Sequence, residues 1–232
     1  MDHRGALPKH MQISEMLARE IAAGRLSDGA RLPGERAMAS DLGVAVGTLR
    51  RALNDLTDKG LLERVQGSGN YVRHQTDTQS VYAFFRLEGP KEAGLPTAEV
   101  LSADALDRPP ELRTEAGQAK VLRVRRIRLL DDAPAALEEI WLDLRGAADL
   151  RAGDLSESLY LTCQRTLGVC IERTEDRVSH ARVPDWGRGH LALAPGEVCG
   201  HVARRGWAQG HVVEVSQTWF DAARAQFVSR MR

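Results

Sequence analysis

The sequence has few features that would suggest a membrane, extracellular or metal-dependent protein. Its three cysteines, Cys163, Cys170 and Cys199, lack CxxC spacing, and its seven histidines lack the spacing of zinc ligands. No apolar run approaches the roughly 20 residues of a membrane span, and the N-terminus lacks the apolar core of a signal peptide. We therefore expect a cytoplasmic protein with reduced thiols, no cofactor and no membrane partner.

Bulk composition favours a soluble globular protein of one or two domains. Of its 232 residues, 43% are hydrophobic and 28% are charged, which provides for a substantial core. The net charge is zero. The 11 Lys/Arg and 9 Asp/Glu of residues 1–75 differ too little to indicate a nucleic-acid partner.

Residues 1–75 combine three helical patterns with a hairpin pattern. Apolar residues at helical spacing predict helices in 10–24, 34–43 and 44–60, each ending at a glycine. Residues 61–73 alternate around Gly67-Ser68-Gly69, which predicts a β-hairpin. This order is that of a winged helix-turn-helix, in which one helix enters a DNA groove and the hairpin lies beside it.

The polar residues of this region are of the types that contact DNA. Arginine binds guanine edges or phosphates with two N–H groups, and helix N-termini favour phosphate. A solvated helix face is the alternative for any one of these residues, but the order of elements favours DNA. The candidate contacts are Arg36, Thr48, Arg50, Arg51, Gln66, Gly67, Ser68 and Gly69.

Residues 7–73 resemble the DNA-binding domain of the GntR family of bacterial transcription regulators. The resemblance lies in RLPGER, DLGVAVGTLRRAL and GLLERVQGSGNYV. It implies DNA contacts by Arg36, Thr48, Arg50 and the wing tip. Gly34 stands where the family commonly has Ser, and Ala45-Val46 where it has Ser-Arg, so the operator sequence does not transfer.

A polar stretch at 74–80 reads as a short linker between a DNA-binding domain at 1–73 and a second domain at 81–232. Beyond it, alternating runs predict strands and DLSESLYLTCQRTLG predicts a helix, while PDWGRGHLAL suggests a short helical turn. The runs are VYAFFRL, KVLRVRRIRLL, PAALEEIWLDL, CGHVARRGWA and HVVEVSQTWF. The fold class is therefore α+β, with a mostly antiparallel sheet.

Charged residues share strand faces with apolar ones in this second domain. Strand parity places Arg126 and Arg128 on the same face of their strand, among apolar residues. On two later strands it places Glu138, and Glu214 with Ser216, among apolar neighbours in the same way. Such charges are costly unless they are paired or bind a ligand. Two alternatives remain. The charges either have a structural explanation, as internal ion pairs (for example Arg126 with Glu138) or as a solvated face, or they line a pocket for a small anionic effector.

Residues 81–228 resemble the UTRA effector-binding domain of the HutC-type branch of GntR regulators, which has a chorismate lyase-like fold. The resemblance lies in the R-x-R motif, Pro134, SLY, Pro195-Gly196 and VEVSQTWF. It implies an effector site formed by the arginines, the acidic strand residues and the start of the helix. The candidate residues are Arg126, Arg128, Glu138, Ser158, Tyr160, Glu214 and Ser216.

Together the two resemblances imply a transcription regulator, a repressor, that binds a palindromic double-stranded DNA operator as a homodimer under control of a small-molecule effector. The apolar outer positions Trp141, Trp207 and Trp219 belong either to the dimer interface or to the core. One alternative is a C-terminal domain that only dimerises. Another is a lyase-like enzyme, although no catalytic motif is evident.

Overall fold

A computed structural model describes most of the chain, which divides into two compact units between Phe85 and Arg86. The linker predicted at 74–80 lies outside the described residues, as does most of the strand predicted from 81. In the described part, no helix is long and apolar enough to cross a membrane. The described residues are 8–22, 24–73, 85–89, 96–112, 120–130, 132–156 and 158–229.

The N-terminal unit has the predicted order of three helices followed by a hairpin. The helices are α1 (Lys9–Ala22), α2 (Glu35–Asp41) and α3 (Val46–Asp58). Strands β1 (Leu62–Val65) and β2 (Gly69–Val72) pair in antiparallel register. The prediction of a winged helix-turn-helix is confirmed.

The core of this unit forms between the apolar edges of α1 and α3. Side chains four and three residues apart meet on one face of a helix, so these edges are continuous apolar stripes. Each of their central residues is no more than 4% exposed: Ile13, Leu17, Ile21, Leu49, Leu53 and Leu56.

A partly buried ion pair joins α1 to the C-terminal end of α3. Glu15 is 1% exposed, and its carboxylate accepts a hydrogen bond from Lys59 Nζ at 2.7 Å. Lys59 also lies 2.8 Å from Asp55, which in turn accepts a hydrogen bond from Ser14. Burial lowers the pKa of Lys59, but the two carboxylates raise it by more, so the ammonium stays charged.

The helix ends confirm the predicted glycine stops. Gly24, Gly43 and Gly60 adopt φ values of 74°, 62° and 71°, which fall in the left-handed region that glycine occupies without a steric cost. The N-caps of α2 and α3 are Gly34 and Ala45, and neither forms a side-chain cap. The caps that serine supplies at such positions are therefore missing, at a cost of about 1 kcal/mol for Ala45 and roughly a few tenths of a kcal/mol for Gly34.

The C-terminal unit is built on an antiparallel sheet of six strands, accompanied by a short two-stranded pair. The strands are β3 (Leu87–Glu88), β4 (Pro96–Asp107), β5 (Lys120–Leu130), β6 (Ala133–Leu142), β7 (Arg173–Arg182), β8 (Val198–Ala208), β9 (His211–Phe220) and β10 (Gln226–Phe227). The six-stranded sheet has the order β4-β5-β6-β9-β8-β7, and β3 pairs with β10. Chain neighbours β5/β6 and β8/β9 pair directly, while β6 pairs with β9.

Three elements of this unit differ from the sequence-based expectation. The edge strands β4 and β7 were not predicted. The helix expected over 154–168 is α-helical only in α4 (Leu159–Thr162) and continues as a π-helical turn over Cys163–Leu167. The short turn predicted near residue 185 is present as a 3₁₀ turn, Asp185–Gly187.

The central strands bury one face under α4 and the turns around it. On this face Leu122 and Val124 of β5 and Ile140 of β6 pack with Leu159 and Cys163. This placement explains why the start of α4 lies close to the polar residues of the same sheet face. The cysteines are free: Cys163 and Cys199 are buried and Cys170 is half-buried.

Candidate functional sites

The recognition helix α3 has a polar edge that faces away from the core. Thr48 is half-buried, and Arg50 and Arg51 are exposed, whereas Leu49 between them is fully buried. Arg36, the second residue of α2, is also exposed. The structure thus places these four predicted DNA contacts at the starts of the two helices that follow the turns.

The wing tip depends on two glycines. Gly67 has φ of 75° and Gly69 has φ of 134°, both in the region that favours glycine. A Cβ atom at Gly69 would lie 3.3 Å from Nε of Arg31. Ser68 Oγ forms a hydrogen bond with the Tyr71 hydroxyl at 2.7 Å, while Gln66 is exposed at the turn.

A groove of about 430 Å³ runs between the wing and the segment that leads into α2. Two arginines that were not predicted as contacts, Arg31 and Arg64, line it together with Glu35. Arg31 pairs with Tyr71 as an isolated bridge, which joins the extended segment before Pro33 to the hairpin. Alternation within β1 places Arg64 on the same face as the buried Leu62, so strand parity alone did not mark it as a groove residue.

In the C-terminal unit, the predicted arginines and glutamate form a buried triad. Glu138 Oε2 lies 2.5 Å from Nε of Arg126 and 3.0 Å from Nη2 of Arg128. Glu138 and Arg126 are each 6% exposed, and Arg128 is 2% exposed. The predicted internal ion pair between Arg126 and Glu138 is therefore present.

The electrostatics of the triad keep Glu138 ionised. Burial raises the pKa of this carboxyl, but Arg126 and Arg128 lower it by more, to about 2. One carboxylate faces two guanidiniums, so the charges within the triad sum to +1. A guanidinium can form paired hydrogen bonds with a carboxylate or a phosphate.

Glu214 anchors a second group on the same sheet face. Its carboxylate accepts hydrogen bonds from the Tyr160 hydroxyl at 2.5 Å and from Ser216 Oγ at 2.9 Å. Burial raises the pKa of Glu214, and Arg204 and Arg126 lower it only in part. In the β6/β9 register, Glu138 is opposite Thr218, two residues along β9 from Ser216, so this group lies close to the triad.

Gly206 allows Glu214 to occupy its place in the sheet. The two residues are opposite each other in the β8/β9 register. A Cβ atom on Gly206 would lie 2.7 Å from Glu214 Oε2. The glycine therefore removes a side chain that would otherwise displace the carboxylate.

Sequence reasoning missed an ion pair that adjoins Glu214. Arg204 of β8 forms two hydrogen bonds with Asp176 of β7, at 2.6 and 2.7 Å. Arg204 is opposite Ser216 in the β8/β9 register, which only the structure shows. Parity within β8 places Arg204 on the same face as Val202 but does not identify its neighbours on other strands. Asp176 gave no parity signal because β7 itself was not predicted.

Ser158 and Tyr160 stand at the start of α4, as expected. Ser158 is the N-cap of this helix, and its Oγ accepts a hydrogen bond from Leu161 N at 3.3 Å. Burial and the nearby Glu214 carboxylate raise the pKa of Tyr160 well above its usual range, so the phenol remains a hydrogen-bond donor. The helix start thus brings a hydroxyl donor to the acidic group.

Two family models match the chain, one for each unit. Residues 9–72 match the model described as bacterial regulatory proteins, gntR family. Residues 92–226 match the UTRA domain. The two matches together span most of the chain.

Curated relatives agree with this assignment. The HTH-type transcriptional regulator SmoD of Agrobacterium fabrum is 50% identical over 229 residues, which cover 98% of each chain. The mannosyl-D-glycerate transport/metabolism system repressor MngR of Escherichia coli is 30% identical over 179 residues, 75% of each chain. The HTH-type transcriptional repressor NagR of Bacillus subtilis is 27% identical over 183 residues, 77% of this chain and 75% of NagR.

Solved structures show the same fold. YydK from Bacillus subtilis superposes with a TM-score of 0.54 at 20% identity, over 97% of this chain and 100% of its own. PhnF from Mycobacterium smegmatis gives a TM-score of 0.50 at 21% identity, over 95% and 99%. With the N-terminal DNA-binding domain and the C-terminal UTRA domain both matched, the chain belongs to the GntR family of bacterial transcription regulators.

Proposed function

We propose that this regulator is a homodimeric repressor whose affinity for a palindromic operator is controlled by a small anionic metabolite bound in its UTRA domain. The observation that carries the proposal is the buried triad of Arg126, Arg128 and Glu138, which places two guanidiniums and a carboxylate on a largely apolar face of the sheet. The relatives MngR and NagR are both named as repressors, which supports the direction of control.

The proposed DNA contacts lie on three elements of the N-terminal unit. The start of α3 enters the major groove, the start of α2 approaches the backbone, and the wing lies against the neighbouring groove. Exposed guanidiniums supply both base readout and phosphate contacts. The residues are Arg36, Thr48, Arg50, Arg51, Gln66, Gly67, Ser68 and Gly69.

The proposed effector site combines the triad with the group around Glu214. Arg126 and Arg128 bind the acidic group of the metabolite, because a guanidinium forms paired hydrogen bonds with carboxylate or phosphate. The carboxylates of the site accept hydrogen bonds from the remaining polar groups of the ligand, and the hydroxyls donate or accept them. These residues are Glu138, Ser158, Tyr160, Glu214 and Ser216.

Control requires that the effector bind one arrangement of the dimer more tightly than another. A coupling free energy of about 1–3 kcal/mol changes operator affinity by about 5- to 150-fold. Because the linkage is reciprocal, operator DNA lowers the affinity for an inducing effector by the same factor.

A second candidate function is a C-terminal domain that only dimerises. The observation in its favour is that both arginines already pair with Glu138 inside the fold. In that case the triad contributes structural specificity alone.

A ligand screen on the full-length protein separates these functions. Thermal shift with small acids and sugar phosphates identifies binders, since a ligand that binds only the folded state raises the melting temperature. Operator affinity is then measured by fluorescence anisotropy, using DNA from upstream of the gene and its neighbours. We expect one ligand class to raise the melting temperature and to lower the operator affinity. Arg128→Gln should abolish both of these effects of the ligand.

Arg125→Gln is the matched control, because Arg125 lies on the same strand but on the opposite face, 2.6 Å from Glu139. It should keep the ligand response. Effector control is wrong if no acid or sugar phosphate changes the melting temperature or the operator affinity, and if Arg128→Gln alters only the stability of the protein. Dimerisation is then the remaining function of the C-terminal domain.

Dimerisation has its own test. Sedimentation equilibrium should give twice the monomer mass, and footprints should show two half-sites about 10 base pairs, or a multiple of that, apart. Trp141, Trp207 and Trp219 are half-buried in the single chain, which leaves part of each ring for a partner. A monomer at micromolar concentration, or a single half-site, would contradict the homodimer.

A further inference from the structure

Glu35 connects cations on two DNA-facing elements of the N-terminal unit. It is the first residue of α2 and its side chain is 24% exposed. Its Oε2 accepts a hydrogen bond from Arg50 Nε of the recognition helix at 2.7 Å. Its Oε1 lies 3.9 Å from Arg64 Nη2 of the wing strand β1. A single carboxylate thus spans the recognition helix and the wing.

Arg64 is held from the other side by the hairpin itself. Its Nε lies 3.3 Å from Oδ1 of Asn70, the residue opposite it in the β1/β2 register. Asn70 is 5% exposed, so its amide is a fixed point in the domain. Arg64 therefore extends from a buried anchor on the wing toward Glu35 across the groove.

The location of Glu35 is unfavourable for DNA binding as judged by charge alone. DNA is a polyanion, and each carboxylate on the surface that meets it reduces the number of phosphates that the protein neutralises. A carboxylate at this place contributes to recognition only if it fixes the orientation of the guanidiniums that it contacts.

The geometry of the Arg50 contact fits such control. The bond to Glu35 uses Nε, which lies on one side of the guanidinium, so the edge formed by the two Nη groups still faces other partners. That edge forms bidentate contacts with guanine or phosphate. Arg50 is 61% exposed, and without the contact its side chain samples many rotamers.

We propose that Glu35 is a positioning residue for sequence-specific DNA reading, which orients the guanidinium of Arg50 on the recognition helix and that of Arg64 on the wing. It contributes to the discrimination between operator and random DNA while it lowers affinity for DNA in general. This role rests on the proposed contact between Arg50 and DNA, which the experiment below tests separately.

The decisive variant is Glu35→Asp in the full-length protein. Aspartate keeps the negative charge and is well tolerated in the first turn of a helix, but it is one methylene too short for the contacts to Arg50 and Arg64. Anisotropy with operator and random-sequence duplexes gives the ratio of the two affinities between about 50 and 200 mM salt. We expect the ratio to fall at least about fivefold, the lower end of one bidentate arginine–base contact. Random-DNA affinity should remain unchanged.

Glu35→Gln and a matched control complete the test. Glu35→Gln removes the charge, so random-DNA affinity should rise and the salt slope should steepen by up to about 0.9, while the ratio falls. Glu63→Gln is the control, since Glu63, an acid of the hairpin, also contacts an arginine, Arg73, but lies outside the groove. It should raise affinity for both DNAs and leave the ratio unchanged.

The outcomes separate the proposal from its alternatives. If Glu35→Asp behaves like the parent, or if Glu35→Gln behaves like Glu63→Gln, the carboxylate acts only through its charge and the positioning role is wrong. If Arg50→Ala leaves the ratio unchanged, the DNA contact proposed for Arg50 fails instead. Melting curves by circular dichroism must superpose for the Glu35→Asp variant and the parent, because a lower ratio that accompanies unfolding of α2 would count against positioning.

Discussion

Replacement of Glu138 by Gln removes the central anion of the C-terminal sheet and nearly preserves its shape. The folded-state pKa of Glu138 is about 2, compared with 4.5 for the free side chain. At about 1.4 kcal/mol per pKa unit, this difference corresponds to about 3 kcal/mol of stability at neutral pH. Removal of one partner from a buried ion pair typically costs about 3–5 kcal/mol, which agrees.

The sign of the pH dependence follows from the lowered pKa. Because the folded state binds the Glu138 proton less tightly than the unfolded state, the stabilisation is complete above pH 4.5 and is lost as the pH falls toward 2. The difference in unfolding free energy between the parent and Glu138→Gln should therefore be constant from about pH 6 to 8. It should shrink to less than half by about pH 3.

Urea unfolding followed by tryptophan fluorescence measures this difference for the C-terminal unit. All four tryptophans of the chain, at positions 141, 186, 207 and 219, lie in that unit. With a urea m-value of about 2 kcal/mol/M, the midpoint at pH 7 should fall by about 1.5 M.

Glu139→Gln on the same strand provides the control, since Glu139 pairs with Arg125 on the more exposed face of the sheet. Its cost should be about 1 kcal/mol or less. Equal stability of parent and Glu138→Gln, or a difference that is the same at pH 3 and pH 7, would refute the assignment of a buried, ionised Glu138.

Three further predictions concern other residues. Gly69→Ala should weaken operator binding several-fold, because φ of 134° is unfavourable for alanine and the new Cβ would press on Arg31. Fluorescence anisotropy measures the operator affinity, and unchanged binding would show that the wing tip tolerates a side chain. Lys59→Met should destabilise the N-terminal unit by about 3 kcal/mol, because the buried Glu15 carboxylate loses the hydrogen bond and the positive charge of Lys59. Thermal melts by far-UV circular dichroism test this, and a melt equal to that of the parent would contradict it. Burial and the nearby Glu214 carboxylate raise the pKa of the Cys163 thiol to about 12, so the native protein should resist iodoacetamide at that position at pH 8. Alkylation of Cys163 at the rate of the urea-unfolded chain, measured by peptide mass spectrometry, would disprove this.

The sequence predicts the central strands of the C-terminal sheet but not its edges. Strands β5, β6, β8 and β9 bury much of their length, so their apolar residues alternate or run together. Strand β7 has one neighbour and is mostly exposed, and RTEDRVSHAR shows no alternation. Strand β4 contains a bulge between Val100 and Ser102, which shifts the parity of its two halves.

The same distinction decides which site residues could be found. Arg126, Arg128 and Glu138 lie on strands whose parity is clear, so their common face was predictable without a structure. Asp176 lies on β7 and was not predictable. The position of Glu214 beside these residues could not be found from parity alone, because the register between β6 and β9 depends on how residues far apart in the chain pair.

Each unit contains one glutamate that contacts two arginines, but the two arrangements differ in burial and hence in their response to salt. Glu35 and its partners are 24%, 61% and 45% exposed, so dissolved ions screen their attraction, with a Debye length of about 8 Å at 0.15 M. The triad around Glu138 is nearly excluded from solvent, and salt screens it far less. Added salt should therefore loosen the orientation of Arg50 and so reduce discrimination between operator and random DNA, in addition to weakening all phosphate contacts. The stability contributed by Glu138 should stay nearly constant over the same range. A stability difference for Glu138→Gln that fell with salt as steeply as DNA discrimination would show that the triad is open to solvent.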